Sequence, residues 1–564
     1  MFDIGFLRAG LRRRVRVLWV IAIIGVAMGQ ALAATGDVGE TGKPVTTAVI
    51  ASWPIDFHPL TGNELGQFAV KRFVTRPVLD RFDGDLHCVF CTKIPSAADG
   101  TLVVSRRSDG GQVTTATYAL IPHSLWDDGS EITTQDLAFS WDVLRAGGRD
   151  LVAGDSRRLN IKDLHIIDKY RFSITYDGAV CGEQLDVPPP LPAHLERSIW
   201  LADPAHYFER SLYRTQPAHA GLYNGPFRVE RIGTDSLQVV KNGRWSGQAA
   251  VFGRMNVMVA ANQGDLEQKV RAGGVDIFST LTFDVGQRLA HEFGDRYNAF
   301  YSPSAHLVHL KVNFDNPILS DLRVRKALLH GLNREELIAT LLENKGVVAQ
   351  GLLSPFMPGY AAVTRYAYNP QKSAALLDSA GWVKGTDGLR HNRAGAPLRF
   401  ELRYRRNYPW IDLAPRLAAA WQNIGVQVDL IEDPQLSGDA LDTRQRYLGL
   451  VGFAQGFEEG WEATRTWYHS AMIPAASNNW QGNNHFGIHV PALDETLDKL
   501  IAAGCNPDAR GTALSELQQV YAENLPTLPL WFGTVITLSD KRLTGTIDRR
   551  TSAMAPPEFW RPHS

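Results

Sequence analysis

The sequence predicts an α/β protein, because short runs typical of β-strands alternate with well-capped helices along nearly the whole chain. The clearest helix begins within the run W-D-D-G-S-E-I-T-T-Q-D-L-A-F-S-W, from Trp126 to Trp141. A tight turn precedes Thr133, which is placed to cap the helix, and Asp136 three residues later completes a capping box. The strands and helices follow neither an internal repeat nor a regular βαβ rhythm, so the predicted class is α/β of irregular order.

Residues 1–33 have the pattern of an export signal. Five arginines within 8–16 are followed by an apolar run over 17–29 and by the small-x-small sequence A-L-A at 31–33. We therefore expect a mature chain that starts at Ala34 and resides in the periplasm. The alternative is an uncleaved membrane anchor, but the apolar run is shorter than the roughly 20 residues that a spanning helix needs.

Length and charge exclude several classes of protein. The signal segment holds five of the 58 basic and one of the 59 acidic residues, so the mature chain has a formal charge of −5. This mild, mixed charge argues against binding to nucleic acid or to an anionic membrane surface. The mature chain is longer than one hydrophobic core usually supports, so two or three lobes are expected.

In the middle of the chain, turn and capping residues indicate where strands and helices begin and end. A turn at 224–226 leads into a strand over 227–229, and a second strand ends near Lys241. The following helix is predicted to stop at the glycines of 272–274, before a buried strand over 275–277.

Three helices are predicted in the next segment from their capping residues. Ser320 and Asn333 are each placed to cap a helix, and Asn369-Pro370 begins a third that Gly381 stops. Their apolar residues recur at helical spacing, so we interpret these helices as parts of the core. They are assigned no chemistry.

The predicted export to the oxidising periplasm would allow the four cysteines to form disulfides. Cys88 and Cys91 form a C-x-x-C pair, for which we predict a local structural disulfide. The alternative is zinc held together with His87, but no second pair of ligands follows at zinc-site spacing. The sequence does not decide whether Cys181 pairs with Cys505.

An enzyme is the competing class of function. The sequence lacks G-x-S-x-G, H-E-x-x-H and a phosphate-binding G-x-x-x-x-G-K-[ST], so we expect no ATP hydrolysis and no cofactor. A redox or metal-dependent enzyme could still use Cys88 and Cys91, or His485 and His489. The two histidines are four residues apart, but Gly487 between them makes a helix unfavourable, so they form a poor metal site.

Several stretches together resemble family 5 of the bacterial extracellular solute-binding proteins, which are the periplasmic oligopeptide receptors of ATP-driven importers. The resemblance begins in the Trp126–Trp141 run and continues in the same order along roughly 450 residues. The later matching stretches are G-P-F-R-V at Gly225, G-G-V-D-I at Gly273, S-D-L-R-V-R-K-A-L-L-H-G-L-N-R-E-E at Ser320, N-P-Q-K-S-A-A-L-L-D-S-A-G-W at Asn369, N-I-G-V-Q-V-D-L at Asn423, L-D-T-R at Leu441 and L-P-T-L-P-L-W-F at Leu525.

The resemblance implies a periplasmic-binding-protein fold of the three-lobed type called cluster C. Lobe I would combine 34–77, 217–305 and 526–564, lobe II would be an insertion over 78–216, and lobe III would span 306–525. Backbone crossings near residues 305 and 526 would form a hinge, and the ligand would bind in the cleft between lobes I and III.

The resemblance also implies which residues line the cleft. Relatives bind peptides largely through main-chain hydrogen bonds, and an aromatic residue at the position of Phe453 packs on the ligand. A plain buried strand is the alternative for 449–453, and we prefer it for Leu450 and Val451. The predicted ligand-binding residues are Thr61, Gly62, Asn63, His309, Arg444, Phe453, Ala454, Gln455, Gly456, Phe457, Glu458, Trp531 and Phe532.

One departure from the family pattern concerns recognition of the ligand's amino group. Peptide-binding relatives carry an Asp three residues after the aromatic position, where it pairs with the free α-amino group, but this chain has Gly456. Glu458 or Glu459 could replace that Asp, or both could be solvated surface charges. Arg444 matches a position that meets the carboxylate end of some ligands.

The function implied is that of a monomeric periplasmic receptor that captures a peptide or peptide-like ligand. Its partners would be an inner-membrane ABC permease and the ATPase subunits of that importer. The departure at Gly456 raises an alternative, a receptor for a non-peptide solute such as an opine, a saccharide or a metal chelate.

Overall fold

The computed structural model describes residues 44–61, 65–82, 85–108, 110–147, 160–357, 359–436, 443–455, 461–480, 482–548 and 554–563. The predicted export signal lies outside the described residues. Within them, no helix is long and apolar enough to cross a membrane.

The described elements confirm the α/β class. The helices are α1 (Leu65–Val74), α2 (Thr134–Gly147), α3 (Ala193–Ala202), α4 (Tyr207–Arg210), α5 (Leu212–Thr215), α6 (Gln263–Arg271), α7 (Phe283–Glu292), α8 (Leu322–His330), α9 (Arg334–Leu342), α10 (Pro370–Ser379), α11 (Trp410–Asn423), α12 (Thr443–Arg446), α13 (Trp461–Tyr468), α14 (Pro491–Ala502) and α15 (Pro507–Asn524). The strands are β1 (Val45–Ile50), β2 (Leu79–Phe82), β3 (Asp85–Cys88), β4 (Leu102–Arg106), β5 (Gln112–Ala119), β6 (Ile161–Ile166), β7 (Arg171–Asp177), β8 (Phe227–Ile232), β9 (Ser236–Lys241), β10 (Arg254–Ala260), β11 (Ile277–Ser279), β12 (Tyr297–Val312), β13 (Val347–Val348), β14 (Val383–Lys384), β15 (Arg390–His391), β16 (Arg399–Tyr404), β17 (Gln427–Glu432), β18 (Leu450–Gln455), β19 (Thr527–Asp540), β20 (Leu543–Thr544) and β21 (Arg561–Pro562).

Among the described residues, two sheets hold most of the strands, and β2–β3, β14–β15 and β20–β21 form separate two-stranded sheets. The larger sheet has the strand order β17-β16-β18-β12-β19-β11-β1-β10-β9-β8, and β13 pairs with β19 beside this path. A separate four-stranded sheet has the order β4-β5-β7-β6. Parallel and antiparallel pairs are mixed within the larger sheet, since β1 pairs parallel with β10 whereas β12 pairs antiparallel with β19.

Most of the predicted helix caps are confirmed. The Asn333 side chain accepts from the Glu336 N–H at 3.1 Å, and the Asn369 side chain accepts from the Lys372 N–H at 2.8 Å. Thr133 begins α2 as predicted, because its N–H donates to the Asp136 carboxylate at 2.8 Å.

Two predictions for the middle of the chain need correction. Asp321, rather than Ser320, caps α8, because its carboxylate accepts from the Arg323 N–H at 2.8 Å and suits the positive end of the helix dipole. The strand predicted over 275–277 begins at Ile277 instead, although Val275 is buried.

Within the part of the chain that the structure describes, the hydrophobic core is divided among four clusters, which follow the two larger sheets. One cluster lies on the large sheet and includes Leu310, Leu328 and Trp531. A second, on the other face near α14 and α15, includes Leu307, Leu517 and Phe532. The remaining two clusters lie beneath β8–β10 and within the four-stranded sheet. The chain therefore builds several hydrophobic cores, as expected for a protein that is longer than a single core usually supports.

Candidate functional site

Two long strands in the middle of the large sheet connect its two halves. Residues 297–303 of β12 pair with 534–540 of β19, and residues 307–311 pair with 527–532. The register shifts between Pro303 and Leu307, opposite Gly533. Strand β18 pairs with the 307–312 segment of β12, whereas β11 pairs with the 537–539 segment of β19. Each long strand thus belongs to both halves of the sheet. The pairing of the two strands shifts register at 303–307, where they pass from one half to the other.

Strand β18 carries the predicted aromatic contact next to this passage. Phe453 pairs with His309 across the antiparallel ladder and is half-buried. A Cβ at Gly452 would lie 2.6 Å from the Trp410 ring, so the strand needs glycine there to pack on α11. Leu450 and Val451 are fully buried, which confirms the interpretation of these two residues as strand core.

A cation on the neighbouring strand β12 lies over the Phe453 ring. The Lys311 ammonium lies 4.2 Å from the centroid of the Phe453 ring and 5.4 Å from that of Phe486. Lys311 follows His309 by two residues, so both side chains point to the same face of β12. Sequence reasoning missed Lys311, because its position beside the Phe453 ring depends on the register between β12 and β18, and its spacing from His309 indicates only a shared face of β12.

His309 is buried beneath this surface. Its Nδ1 lies 2.9 Å from the Thr527 hydroxyl, which is also hydrogen-bonded to the Tyr521 hydroxyl. Burial, and then the Lys311 charge, hold the pKa of His309 well below its ordinary value, so the ring is neutral. Its Nε2 has no hydrogen-bond partner among the described residues.

Trp531 and Phe532 are also buried, with exposed fractions of 1% and 2%. They lie on opposite faces of β19, since Trp531 joins the cluster with Leu328 and Phe532 joins the cluster with Leu307. Both residues pack within the core on either side of the strand pair.

Arg444 lies at the end of the sheet away from this passage. Its guanidinium is 3.7 Å from the Asp315 carboxylate, and its side chain is 32% exposed. The Arg444 carbonyl accepts from the Asn313 side-chain amide at 2.8 Å, which fixes the backbone of α12 beside β12. Arg444, the residue predicted to contact a ligand carboxylate, is therefore half-buried and already lies close to the Asp315 carboxylate.

The predicted contact at Thr61 is held by a buried lysine. The Lys71 ammonium donates to the carbonyl of His58 at 3.1 Å and also to the carbonyl of Thr61. His58 accepts from the Leu60 N–H on Nδ1 at 3.2 Å, and its Nε2 lies 3.1 Å from the Tyr207 hydroxyl. Burial, and then the Lys71 charge, lower the pKa of His58 to about 3.

Two of the remaining predicted contacts lie at the end of β18. Ala454 and Gln455 belong to β18 and pair with Val308 and Leu307. The other predicted positions lie outside the described residues, and they are Gly62, Asn63, Gly456, Phe457, Glu458 and Glu459.

The cysteines that suggested enzyme chemistry form disulfides, and the two histidines flank the segment of Phe486, whose ring lies beside Lys311. Cys88 and Cys91 are joined as a disulfide, and a second disulfide joins Cys181 to Cys505. His485 is buried whereas His489 is exposed, with Gly487 in the left-handed region between them. Within the described part of the chain, no group of three or more His, Cys, Asp or Glu residues could hold a metal ion.

Comparison with known proteins gives a match at the level of the family. The model described as bacterial extracellular solute-binding proteins, family 5 Middle, matches residues 107–473. The periplasmic oligopeptide-binding protein OppA of Escherichia coli is 22% identical over 446 residues, which cover 74% of this chain and 76% of OppA.

Solved structures share the fold at low sequence identity. The oligopeptide-binding protein of Thermus thermophilus, complexed with a pentapeptide, gives a TM-score of 0.63 at 21% identity, covering 92% of this chain and 94% of that one. NikA of Brucella suis, in complex with Fe(III)-EDTA, gives a TM-score of 0.70 at 17% identity, covering 92% and 100%. These likenesses confirm the predicted periplasmic-binding-protein fold.

Proposed function

Since this chain belongs to the bacterial extracellular solute-binding proteins of family 5, we propose that it captures a peptide or peptide-like ligand and delivers it to an ABC permease. It is a binding protein rather than an enzyme. The structural observation that carries the proposal is the β12–β19 pair, which enters both halves of the large sheet and loses its register at 303–307. Such a passage is suited to act as a hinge between two lobes that close over a ligand.

The proposed lobes keep the ranges implied by the family resemblance: 34–77, 217–305 and 526–564 for lobe I, 78–216 for lobe II and 306–525 for lobe III. The strand pairing supports a second crossing nearer to Gly533, because residues 527–532 pair with the lobe III segment of β12. Gly533 gives that point the backbone freedom that a hinge uses.

In this proposal the ligand lies along β18, with Phe453 as its aromatic platform. The half-buried Phe453 ring and the Lys311 ammonium over it offer an apolar surface with a positive charge. His309, Trp531 and Phe532 are too deeply buried to be the first surface that a ligand meets, so their role is to hold β12 and β19 in place beneath the cleft. Thr61 belongs to the opposite wall, where Lys71 fixes its carbonyl.

A second candidate function, receptor for a non-peptide solute, is favoured by one observation. Gly456 replaces the Asp that pairs with the α-amino group in peptide-binding relatives, so the chain lacks that charge at that position. The fold is compatible with such ligands, because NikA was crystallised with Fe(III)-EDTA.

Native mass spectrometry of the purified protein, followed by release of the bound molecule in organic solvent, distinguishes these two functions. We expect a peptide or blocked peptide to be released. Release of a saccharide, an opine or a metal chelate would support the second candidate instead. Copurification of neither, together with no binding of added solutes, would contradict both.

The proposal includes the cellular setting. The 1–33 segment directs export, the mature chain acts as a monomer in the periplasm, and its partners are an inner-membrane permease and the associated ATPase subunits. Names of relatives support this setting, since OppA of Escherichia coli is a periplasmic oligopeptide-binding protein.

A further inference from the structure

The second disulfide joins parts of the chain that are far apart in sequence and in the proposed lobes. Cys181 follows β7 of the four-stranded sheet, and Cys505 lies in the loop between α14 and α15. The two residues are 324 positions apart, with a Cα–Cα distance of 5.6 Å. In the proposed division, Cys181 belongs to lobe II and Cys505 to lobe III, so the bond crosses between lobes. The Cys88–Cys91 bond, in contrast, stays within lobe II.

The two loops that carry this bond are in close contact. A Cβ at Gly504 would lie 3.2 Å from the Cβ of Ala179, and the Cys181 sulfur lies 3.9 Å from the Gly504 carbonyl oxygen. Gly182 and Gly504 both have φ values in the left-handed region, at 54° and 53°. Glycine beside each cysteine therefore allows the loops to turn sharply and approach one another.

The bond lies away from the strands that form the proposed hinge. Cys505 precedes α15, whose Leu517 and Tyr521 pack over Leu307 and Phe532 in the cluster on one face of the large sheet. Helix α15 thus packs on one face of the β12–β19 pair. The disulfide lies at the start of this helix and not in the strand pair itself. Two bodies joined by two adjacent strands can rotate about an axis through those strands, but a third covalent connection away from the axis opposes the rotation.

We propose that the Cys181–Cys505 disulfide is a covalent tether that limits how far lobe III can open away from lobes I and II. The inference rests on the proposed hinge. A disulfide requires Cα atoms within about 6.8 Å of each other, so opening at this edge is restricted to the slack of the two short loops. With the bond intact, the receptor samples a narrow range of cleft widths, and ligand entry and release are slow. Cleavage by a dithiol, which is oxidised to its own disulfide while Cys181 and Cys505 become thiols, frees the hinge.

The direct test compares two matched double variants by small-angle X-ray scattering, after bound molecules have been removed by unfolding and refolding. Cys181→Ser/Cys505→Ser removes the tether, and Cys88→Ser/Cys91→Ser removes a disulfide within one lobe. We expect a larger radius of gyration for the first variant only. A radius equal to that of the unmodified protein would overturn the tether.

A second measurement applies if the tether variant folds poorly. Cys88→Ser/Cys91→Ser protein retains only the Cys181–Cys505 bond, so dithiothreitol acts on that bond alone, and its radius of gyration should rise on reduction. Loss of the copurified molecule during dialysis should be on the order of tenfold faster after reduction, because constraints on opening act mainly on dissociation rates. Identical radii before and after reduction would contradict the proposal. Neither scattering experiment requires a ligand, so failure of the proposed peptide function would appear separately, in the mass spectrum.

Discussion

His309 and Phe453 lie directly opposite one another on the antiparallel strands β12 and β18. Phe453 is half-buried whereas His309 is completely buried and hydrogen-bonded to Thr527. The histidine therefore connects β12 to the other long strand, and the phenylalanine on the neighbouring strand is left as the surface on which a ligand can pack. This division of roles leads to specific expectations for substitutions.

Phe453→Ala should weaken binding of the copurified ligand by about ten- to a hundredfold, because an aromatic contact and its buried area are lost. The matched control is Phe356→Ala, which removes a ring that is 64% exposed and should leave affinity unchanged. Isothermal titration calorimetry measures both. Equal affinities for Phe453→Ala and the unmodified protein would exclude Phe453 from the cleft.

Glu458→Gln/Glu459→Gln tests whether this acidic pair replaces the Asp that is absent at Gly456. If it does, a ligand with a free amino group should bind about ten- to a hundredfold more weakly, which corresponds to roughly 1.5–3 kcal/mol. N-acetylation of the ligand should cost a similar amount in the unmodified protein and little in the variant. Equal binding of free and acetylated peptides to the unmodified protein would show that no amine is recognised there.

Arg444→Gln should weaken peptides that end in a free carboxylate and have little effect on the same peptides with an amidated C-terminus. A charge-assisted hydrogen bond of this kind typically contributes about 1.5–3 kcal/mol, so the expected loss for free peptides is about tenfold or more. Arg399→Gln is the control, since Arg399 is an exposed arginine paired with Asp429. A uniform loss for free and amidated peptides would indicate that Arg444 acts through its contact with Asp315 instead.

His58 should make the free energy of unfolding dependent on acid pH. Its folded-state pKa, lowered to about 3, is below the unfolded value near 6.5, so the folded state binds the proton more weakly. The stability that depends on neutral His58 is present above pH 6.5 and decreases by about 1.4 kcal/mol per pH unit as the pH falls below that value. His309, whose pKa is also lowered by burial, adds to the slope, so urea unfolding between pH 4 and 8 should show a slope at least this steep in the unmodified protein and one shallower by about 1.4 kcal/mol per pH unit in His58→Gln. The exposed His206, changed to Gln, is the control, and parallel slopes for His58→Gln and the unmodified protein would contradict the role of His58.

Much of the fold could be predicted from local signals, because caps and turns are determined by neighbouring residues. Asn333 and Asn369 cap their helices as expected, since a side-chain oxygen needs only the N–H three residues later. The cap predicted at Ser320 is found one residue later, at Asp321, because local patterns determine the start of a helix only to within a residue or two. Strand β10 was missed, and its pairing with β1 joins segments that are distant in sequence.

The candidate site was less predictable for the same reason. Phe453 could be found from a family pattern, but the position of Lys311 over its ring depends on the register between β12 and β18. The Cys181–Cys505 bond depends on how two loops meet, and a pairing across 324 residues cannot be deduced from spacing. Burial of His309 likewise follows from the packing of helices on the sheet rather than from its neighbours in sequence.

The most direct test of the central claim is a thermal-unfolding titration of the refolded, ligand-free protein with a pool of unblocked peptides. A receptor that binds a peptide only when folded gains about 2.7 kcal/mol at a ligand concentration of 100 times Kd, so its melting temperature should rise and should keep rising with the logarithm of the peptide concentration above Kd. An unchanged melting temperature with free, acetylated and amidated peptides alike would contradict the peptide-receptor account.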